Sequence, residues 1–322
     1  MTPQVRIGVG IWGLQSVPQR PDHHLRLYRD LIDASLVAES LGLDSLWLSE
    51  HHFWFDGYCP SVLTAAAAVL GATSRLKVGT AVLLLPLHPA AKVALDSLQV
   101  NRLSGGRLCL GMGLGYRDTE FDAFGLSRRE RGRRMERSLA DLVTILQAEP
   151  GIAPPVYVAV ASLAAARRAG RFGLPMFVDS TLSRSQVVEC LEEHRRASVV
   201  AANPAISHGI QRDVWMTDDP ERDWLKLFPE LRYMRRQYSA WSTPQAPGQS
   251  VEAYTAELDE GLHAKLGNLI FGAPDVVASR LRAFADLGFD LIVCRLQFGN
   301  VERSELDGSM RALAATAIGL VG

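Results

Sequence analysis

Glu50, His51 and His52 stand together in the run WLSEHHFWFDGY, residues 47–58, just past the apolar Leu46-Trp47-Leu48. An imidazole titrates near neutral pH, so either histidine is a candidate proton donor or acceptor in a reaction. A carboxylate beside two imidazoles is also part of a metal-ligand set, and the same three residues could fill a polar corner of a fold. On these residues alone all three readings stay open. A metal centre needs three or four converging ligands. The remaining histidines are His23, His24, His88, His194, His208 and His263, and none completes an HExxH or HxH spacing. His88 is bracketed by Pro86 and Pro89, as in a turn. No metal is expected.

Two further motifs bear on chemistry. Gly111, Gly113 and Gly115 lie in LGMGLGY, residues 110–116. A dinucleotide fingerprint would need glycine where Tyr116 stands and a helix opening there, so no nicotinamide site is expected. Glycines at that place let a flat ligand or a neighbouring backbone come close. AVASLAAARRAG, residues 159–170, is a better anion site. A strand ends at Ala161, Ser162 opens a helix, and the free N–H groups of Leu163 and Ala164 would point at an anion. An ordinary serine N-cap explains Ser162 equally well. The arginines of SRRERGRRMER, residues 127–137, could add a phosphate partner, although a solvated helix face accounts for most of them.

The elements that must position these residues follow from hydrophobic periodicity. Apolar, β-branched runs at 5–12, 45–51, 76–85, 107–114, 156–161, 175–180, 209–217 and 290–299 alternate with amphipathic stretches such as 26–42 and 131–146. Continuous apolar strands between helices imply parallel pairing with both faces covered. Eight such units predict an α/β fold, a closed (β/α)8 TIM barrel in one domain spanning 1–322. Active sites of such barrels lie at the C-terminal ends of the strands, which puts Glu50, His51 and His52 at the mouth. Neighbours along a strand face opposite ways, so Glu50 and His52 should share one side and His51 take the other. The least regular stretch, 219–268, is a candidate lid or insertion before the last strand.

The bulk numbers exclude several classes. The chain has 322 residues, 48% hydrophobic and 21% charged, with a formal net charge of -1. That charge offers no basic field to nucleic acid or anionic lipid. The start, MTPQVRIGVGIWG, does not read as a signal peptide, and no apolar run is long enough to span a membrane. The four cysteines, Cys59, Cys109, Cys190 and Cys294, are scattered without a CxxC, as in reduced thiols of a cytoplasmic protein.

The segments SEHHF (49–53), VLGATSRLKVGTAVLLLPLHP (69–89), NRLSGGRLCLGMGLGY (101–116), EFDAFG (120–125) and FGAPDVVASRLRAFADLGFDLIVCRLQFG (271–299) are characteristic in combination. The chain resembles the bacterial luciferase-like, flavin-dependent monooxygenases over most of its length, more weakly from about 180 to 265. The resemblance implies a barrel that binds FMN at its mouth, with His51 as the catalytic imidazole and Glu50 orienting its surroundings. It implies a non-prolyl cis peptide at Ala81–Val82 propping the flavin ring. It puts the phosphate at Ala161, Ser162 and Leu163, and Gly113 and Leu114 beside the cofactor. Luciferase carries an arginine where this chain has Leu114, so Arg107, Arg131 or Arg133 is expected to replace it.

The implied reaction uses reduced FMN from a separate reductase. The flavin reacts with O2 at C4a, and the resulting peroxyflavin oxidises a small organic substrate. Trp47, Phe53, Trp54 and Phe55 would wall the site, and Tyr233, Tyr238, Trp241 and Tyr254 of the 219–268 stretch would cover the substrate. The resemblance also implies a homodimer, for which Ala65 to Ala68 would allow close helix packing. The rivals are a deazaflavin-dependent hydride-transfer enzyme, a non-catalytic flavin carrier and a metal-dependent hydrolase on the same fold.

Overall fold

Strand and helix runs alternate in space as they do along the chain. The computed structural model describes residues 5–15, 23–53, 57–198, 206–242, 246–250, 252–254, 256–257, 266–299 and 301–321. The strands are β1 (Arg6–Trp12), β2 (Ser45–Leu48), β3 (Lys77–Leu83), β4 (Leu108–Met112), β5 (Val156–Val160), β6 (Met176–Val178), β7 (His208–Met216), β8 (Ile270–Gly272) and β9 (Phe289–Arg295). The helices are α1 (His23–Ser40), α2 (Val62–Ala72), α3 (Ala90–Leu103), α4 (Asp118–Ala123), α5 (Arg131–Gln147), α6 (Leu163–Arg171), α7 (Arg184–Ala197), α8 (Pro220–Ser242), α9 (Pro274–Ala285) and α10 (Arg303–Val321).

Strands β1 to β6 pair in chain order, β6 pairs β7, β7 pairs β9, and β9 returns to β1. Every pairing is parallel. This is the closed eight-stranded (β/α)8 barrel the periodicity predicts. Strand β8 was not anticipated. It adds only to the far end of β7, Val214 to Met216, beyond Asp213, where β9 stops pairing.

The sequence forms these elements for local reasons. Helix α2 buries Val62, Ala65, Ala66, Val69 and Leu70, a spacing of three and four that makes one apolar stripe. Helix α7 opens on a capping box between Ser183 and Gln186. Along β2, Leu46 and Leu48 join the large core between sheet and helices, whereas Trp47 turns into the barrel with Cys109, Tyr157, Phe177, Leu291 and Val293. Trp47 stacks on Phe177 at 4.7 Å between ring centroids. A Cβ on Gly79 would sit 2.2 Å from the indole, so β3 must present glycine there for the indole to fit.

The stretch expected as irregular begins with α8, a helix of 23 residues. Its apolar face packs on Trp215, Leu269 and Phe298 through Leu227, Leu231 and Met234. Beyond it, residues 243–245, 251, 255 and 258–265 lie outside the described residues, as does the side chain of Trp241. No helix among the described residues is long and apolar enough to cross a membrane. All four cysteines are buried and free.

Candidate active site

Residues 49–52 leave the end of β2 and are pinned by their backbone. Ser49 N–H donates to Trp12 O at 3.0 Å, Glu50 N–H to Val82 O at 3.3 Å and His51 N–H to Cys59 O at 3.0 Å. The side chains then diverge. Glu50 Oε1 lies 2.7 Å from His52 Nε2 and 2.6 Å from His88 Nε2, and Oε2 accepts Leu84 N–H at 2.6 Å. Burial alone would raise the Glu50 pKa, but the hydrogen bonds from His52 and His88 outweigh it and hold the carboxyl at about 2. His88 is lowered by burial and raised more strongly by Glu50, for a net rise. Glu50 thus ties β2 to the turn after β3.

No metal-ligand spacing in the sequence announces this meeting. Glu50, His52 and His88 bring one potential ligand atom each within 4.8 Å of one another. As they stand, the carboxylate and imidazoles share protons at hydrogen-bond distances.

His51 faces the other way. Its Nδ1 lies 3.0 Å from Glu120 Oε1, which also accepts His52 N–H at 2.8 Å and Arg117 Nη1 at 3.3 Å. Burial lowers the His51 pKa, and Glu120 only partly restores it. Burial would raise Glu120, but the bond to His51 leads a set of contacts that bring it down. A neutral ring beside an ionised carboxylate places the proton on Nδ1, which leaves Nε2 as an acceptor. That nitrogen lies 3.5 Å from Tyr116 Oη. The rings of Tyr58, Tyr116 and Tyr238 surround the imidazole at centroid distances of 4.7, 5.6 and 6.1 Å. Burial pushes Tyr58 and Tyr116 well above the usual phenol range, so both are neutral. Tyr58 is hydrogen-bonded to Tyr238 of α8, so the helix roofs the imidazole.

Sequence reasoning missed Glu120, Arg117 and Tyr116 as neighbours of His51. The three-residue spacing of Arg117 and Glu120 across a helix start was the available signal.

A cavity of about 430 Å³ opens at this end of the barrel. It is lined by Glu50 and His51, by Ala81 and Val82, by Gly113 and Leu114, and by Ala161 and Ser162. The Ala81–Val82 peptide is cis. Ser162 caps α6 by accepting Ala165 N–H at 3.4 Å, so it is an N-cap and a cavity residue at once. Arg131 also lines the cavity, and its buried Nε has no hydrogen-bond partner. An unpartnered guanidinium nitrogen on the same cavity as the start of α6 fits a phosphate-bearing ligand.

Other expected site residues lie elsewhere. Arg107 precedes β4 and so belongs to the opposite end of the barrel. Its guanidinium is consumed by Ser104 O, Thr73 Oγ1, Thr73 O, Leu76 O and Leu70 O at 2.7 to 3.0 Å. It ties helix and strand starts together and does not reach the cavity. Leu163 is 43% exposed, with its side chain turned to solvent. Trp47 lies within the barrel core and Phe53 is 65% exposed, so neither walls the cavity. Trp54 and Phe55 lie outside the described residues.

A family model described as luciferase-like monooxygenase matches residues 9–291. An uncharacterised protein of Sinorhizobium fredii is 32% identical over 171 residues, 47% of this chain and 49% of its own length. The alkanal monooxygenase alpha chain of Photorhabdus laumondii is 29% identical over 184 residues, 50% of this chain and 51% of its own. The chain thus spans about half the length of the curated relatives it matches. The crystal structure of monooxygenase RslO1 from Streptomyces bottropensis superposes with a TM-score of 0.78 at 21% identity, covering 98% of this chain and 99% of that one. An F420-dependent secondary alcohol dehydrogenase in complex with an F420-acetone adduct gives 0.73 at 16% identity, covering 99% of both. At these identities the structural likeness shows the fold alone.

Proposed function

Because this chain belongs to the luciferase-like monooxygenase family, we propose that it is a flavin-dependent monooxygenase that uses reduced FMN and O2 to oxidise a small organic substrate. One observation carries the reading. A buried imidazole whose Nε2 lies 3.5 Å from Tyr116 Oη opens on the same cavity as a cis Ala81–Val82 peptide and an arginine whose Nε lacks a partner. Bound reduced FMN would supply the electrons by which O2 is activated for transfer of one oxygen atom to the substrate.

The chain's own residues supply position, dryness and proton handling. Arg131, Ser162 and the first N–H groups of α6 would hold the phosphate, and Gly113 and Leu114 line the same cavity. Ala81 and Val82 would support the ring. His51 takes or returns a proton at Nε2, and Glu120 keeps Nδ1 protonated. Glu50 is a positioning residue that fixes the loop carrying His51 through Leu84 N–H, His52 and His88. Tyr58, Tyr116, Tyr238 and α8 exclude water, so the 219–268 stretch acts at its start as a helical cover over a single barrel domain.

A separate reductase supplies the reduced flavin, since LGMGLGY is no dinucleotide fingerprint. We also propose a cytoplasmic homodimer; Ala65 and Ala68 line a groove between α1 and α2 that suits close helix packing. The second reading is a deazaflavin-dependent hydride-transfer enzyme. It is favoured by Leu114, an apolar side chain on the cavity where luciferase carries a phosphate-binding arginine.

Anaerobic titration with reduced FMN, followed by rapid mixing with oxygenated buffer, tests the proposal. Tight binding and a transient absorbance distinct from both reduced and oxidised flavin support it. Weak binding of FMN beside tight binding of reduced deazaflavin sinks it in favour of the second reading.

A further inference from the structure

One wall of the cavity carries a charge cluster that the proposed chemistry does not use. Asp213 on β7 divides its carboxylate between two arginines. Arg295 Nε on β9 donates to Oδ1 at 2.8 Å, and Arg235 Nη2 on α8 donates to Oδ2. Arg295 Nη2 also donates to Ser180 Oγ at 3.1 Å. Asp213 is 3% exposed and each arginine 6%. Arg212 takes no part in this cluster: its guanidinium lies 4.4 Å over the Phe284 ring of α9, and its Nη1 donates to the backbone oxygen of Asp179 at 3.0 Å. Arg235 and Arg295 therefore share the single carboxylate of Asp213, which leaves this trio one positive charge over, while the Asp179 carboxylate on the same cavity accepts Thr181 N–H and Thr181 Oγ1. Tyr58 and Tyr116 remain neutral phenols and do not balance it.

The surplus charge is directed inward. Arg235 and Arg295 both line the cavity. Among the described residues, Arg235 meets no acceptor at Nε or Nη1, and Arg295 meets none at Nη1. A buried ion pair breaks even only when its remaining protons find partners, and an excess buried cation favours an anion. The location separates this cluster from the phosphate end. Arg131 opens α5, the helix between β4 and β5, whereas Arg235 lies on α8 after β7 and Arg295 ends β9. Arg235 also precedes Tyr238 by three positions, so both share a face of α8, and Tyr238 borders His51.

We propose that Arg235 and Arg295 form the substrate's anion subsite, receiving a carboxylate on the organic molecule and laying its body against Tyr238, Tyr116 and His51. This rests on the monooxygenase reading for the substrate's role but not for the binding itself. The enzyme would then choose acidic substrates over neutral ones of the same shape.

Benzoate and its neutral counterpart benzamide are suitable probes, titrated calorimetrically with and without FMN. Benzoate should bind at least ~10-fold more tightly than benzamide. The variant R235Q leaves Arg295 and Asp213 as a balanced pair and should abolish the preference; R235K should keep it. Neither should change FMN affinity, followed by flavin fluorescence. Equal affinity for benzoate and benzamide, no benzoate binding, or an intact preference in R235Q each overturn the subsite. Weakened reduced-FMN binding in R235Q with benzoate unaffected also overturns it and gives the charge to the cofactor. A preference for benzoate in protein that fails to bind FMN keeps the subsite and removes the cofactor reading instead. A merely structural role for Arg235 would lower stability without altering the choice between the two probes.

Discussion

Glu120 Oε1 sits 3.0 Å from His51 Nδ1, although the two residues are 69 positions apart in the chain. Glu120 is a positioning residue, because it holds the His51 tautomer and also grips His52 N–H and Arg117. Its negative charge raises a His51 pKa that burial lowers. The variant E120Q should therefore drop the His51 pKa further and release the ring to its other tautomer. We expect an oxidation rate lowered about 100-fold with flavin affinity unchanged. Histidine NMR titration and the pH profile of reoxidation check this; an unmoved His51 resonance rules out the tautomer role.

The Glu50 cluster predicts a stability profile with two flanks. Glu50 titrates near 4.5 when unfolded and at about 2 in the fold. Its contribution is complete above 4.5 and is lost as pH falls towards about 2. His88 is raised above 6.5, so its contribution is complete below 6.5 and is lost as pH rises through the folded value. The pair stabilises most between 4.5 and 6.5. Glu50 alone accounts for on the order of 3 kcal/mol. Urea unfolding from pH 2 to 8 should show both flanks in the wild type and a flatter curve in E50Q. Identical curves would refute the coupling.

The barrel was legible in the sequence because its signal is local: apolar β-branched runs and three-four spacing repeat within windows of about a dozen residues. The divergence of His51 from Glu50 and His52 followed equally from strand alternation. Arg107 was misplaced by its nearness to LGMGLGY, although it precedes β4, and barrel geometry sends residues before a strand to the far end. Trp47 was expected among the walls of the site, but alternation turns it into the axis beneath the cavity. Glu120 was missed because its meeting with His51 is a long-range contact made from the six-residue α4. Asp213 and Arg295 left a fainter mark: charged residues inside otherwise apolar strands, on the faces that turn inward.

In the proposed function Arg131 takes the phosphate role that an arginine at the position of Leu114 would have. Its Nε is buried without a partner on the cavity shared with Ser162. A charge-assisted bond to phosphate is worth about 1.5–3 kcal/mol. The variant R131Q should thus weaken FMN about 10- to 100-fold, while riboflavin, which lacks the phosphate, should bind as before. Fluorescence titration of both flavins separates the outcomes. Equal losses for FMN and riboflavin would mean that Arg131 only shapes the cavity.

Gly113 is required by the close approach of β3 to the segment after β4. Its N–H donates to Leu83 O at 2.7 Å, and a Cβ there would lie 2.1 Å from Val82 Cγ2 and 3.1 Å from Val82 Cβ. Valine is stiff at χ1, so the methyl cannot swing aside cheaply. The variant G113A should lose about 1–3 kcal/mol of stability through overpacking. It should also push Val82 into the cavity it lines and weaken FMN. Removing the obstructing methyls tests the cause: V82A in the G113A background should recover most of both losses, while V82A alone costs little. Recovery means that the two residues couple directly, as a double-mutant cycle measures. Strictly additive losses would show that Gly113 acts through some contact other than Val82.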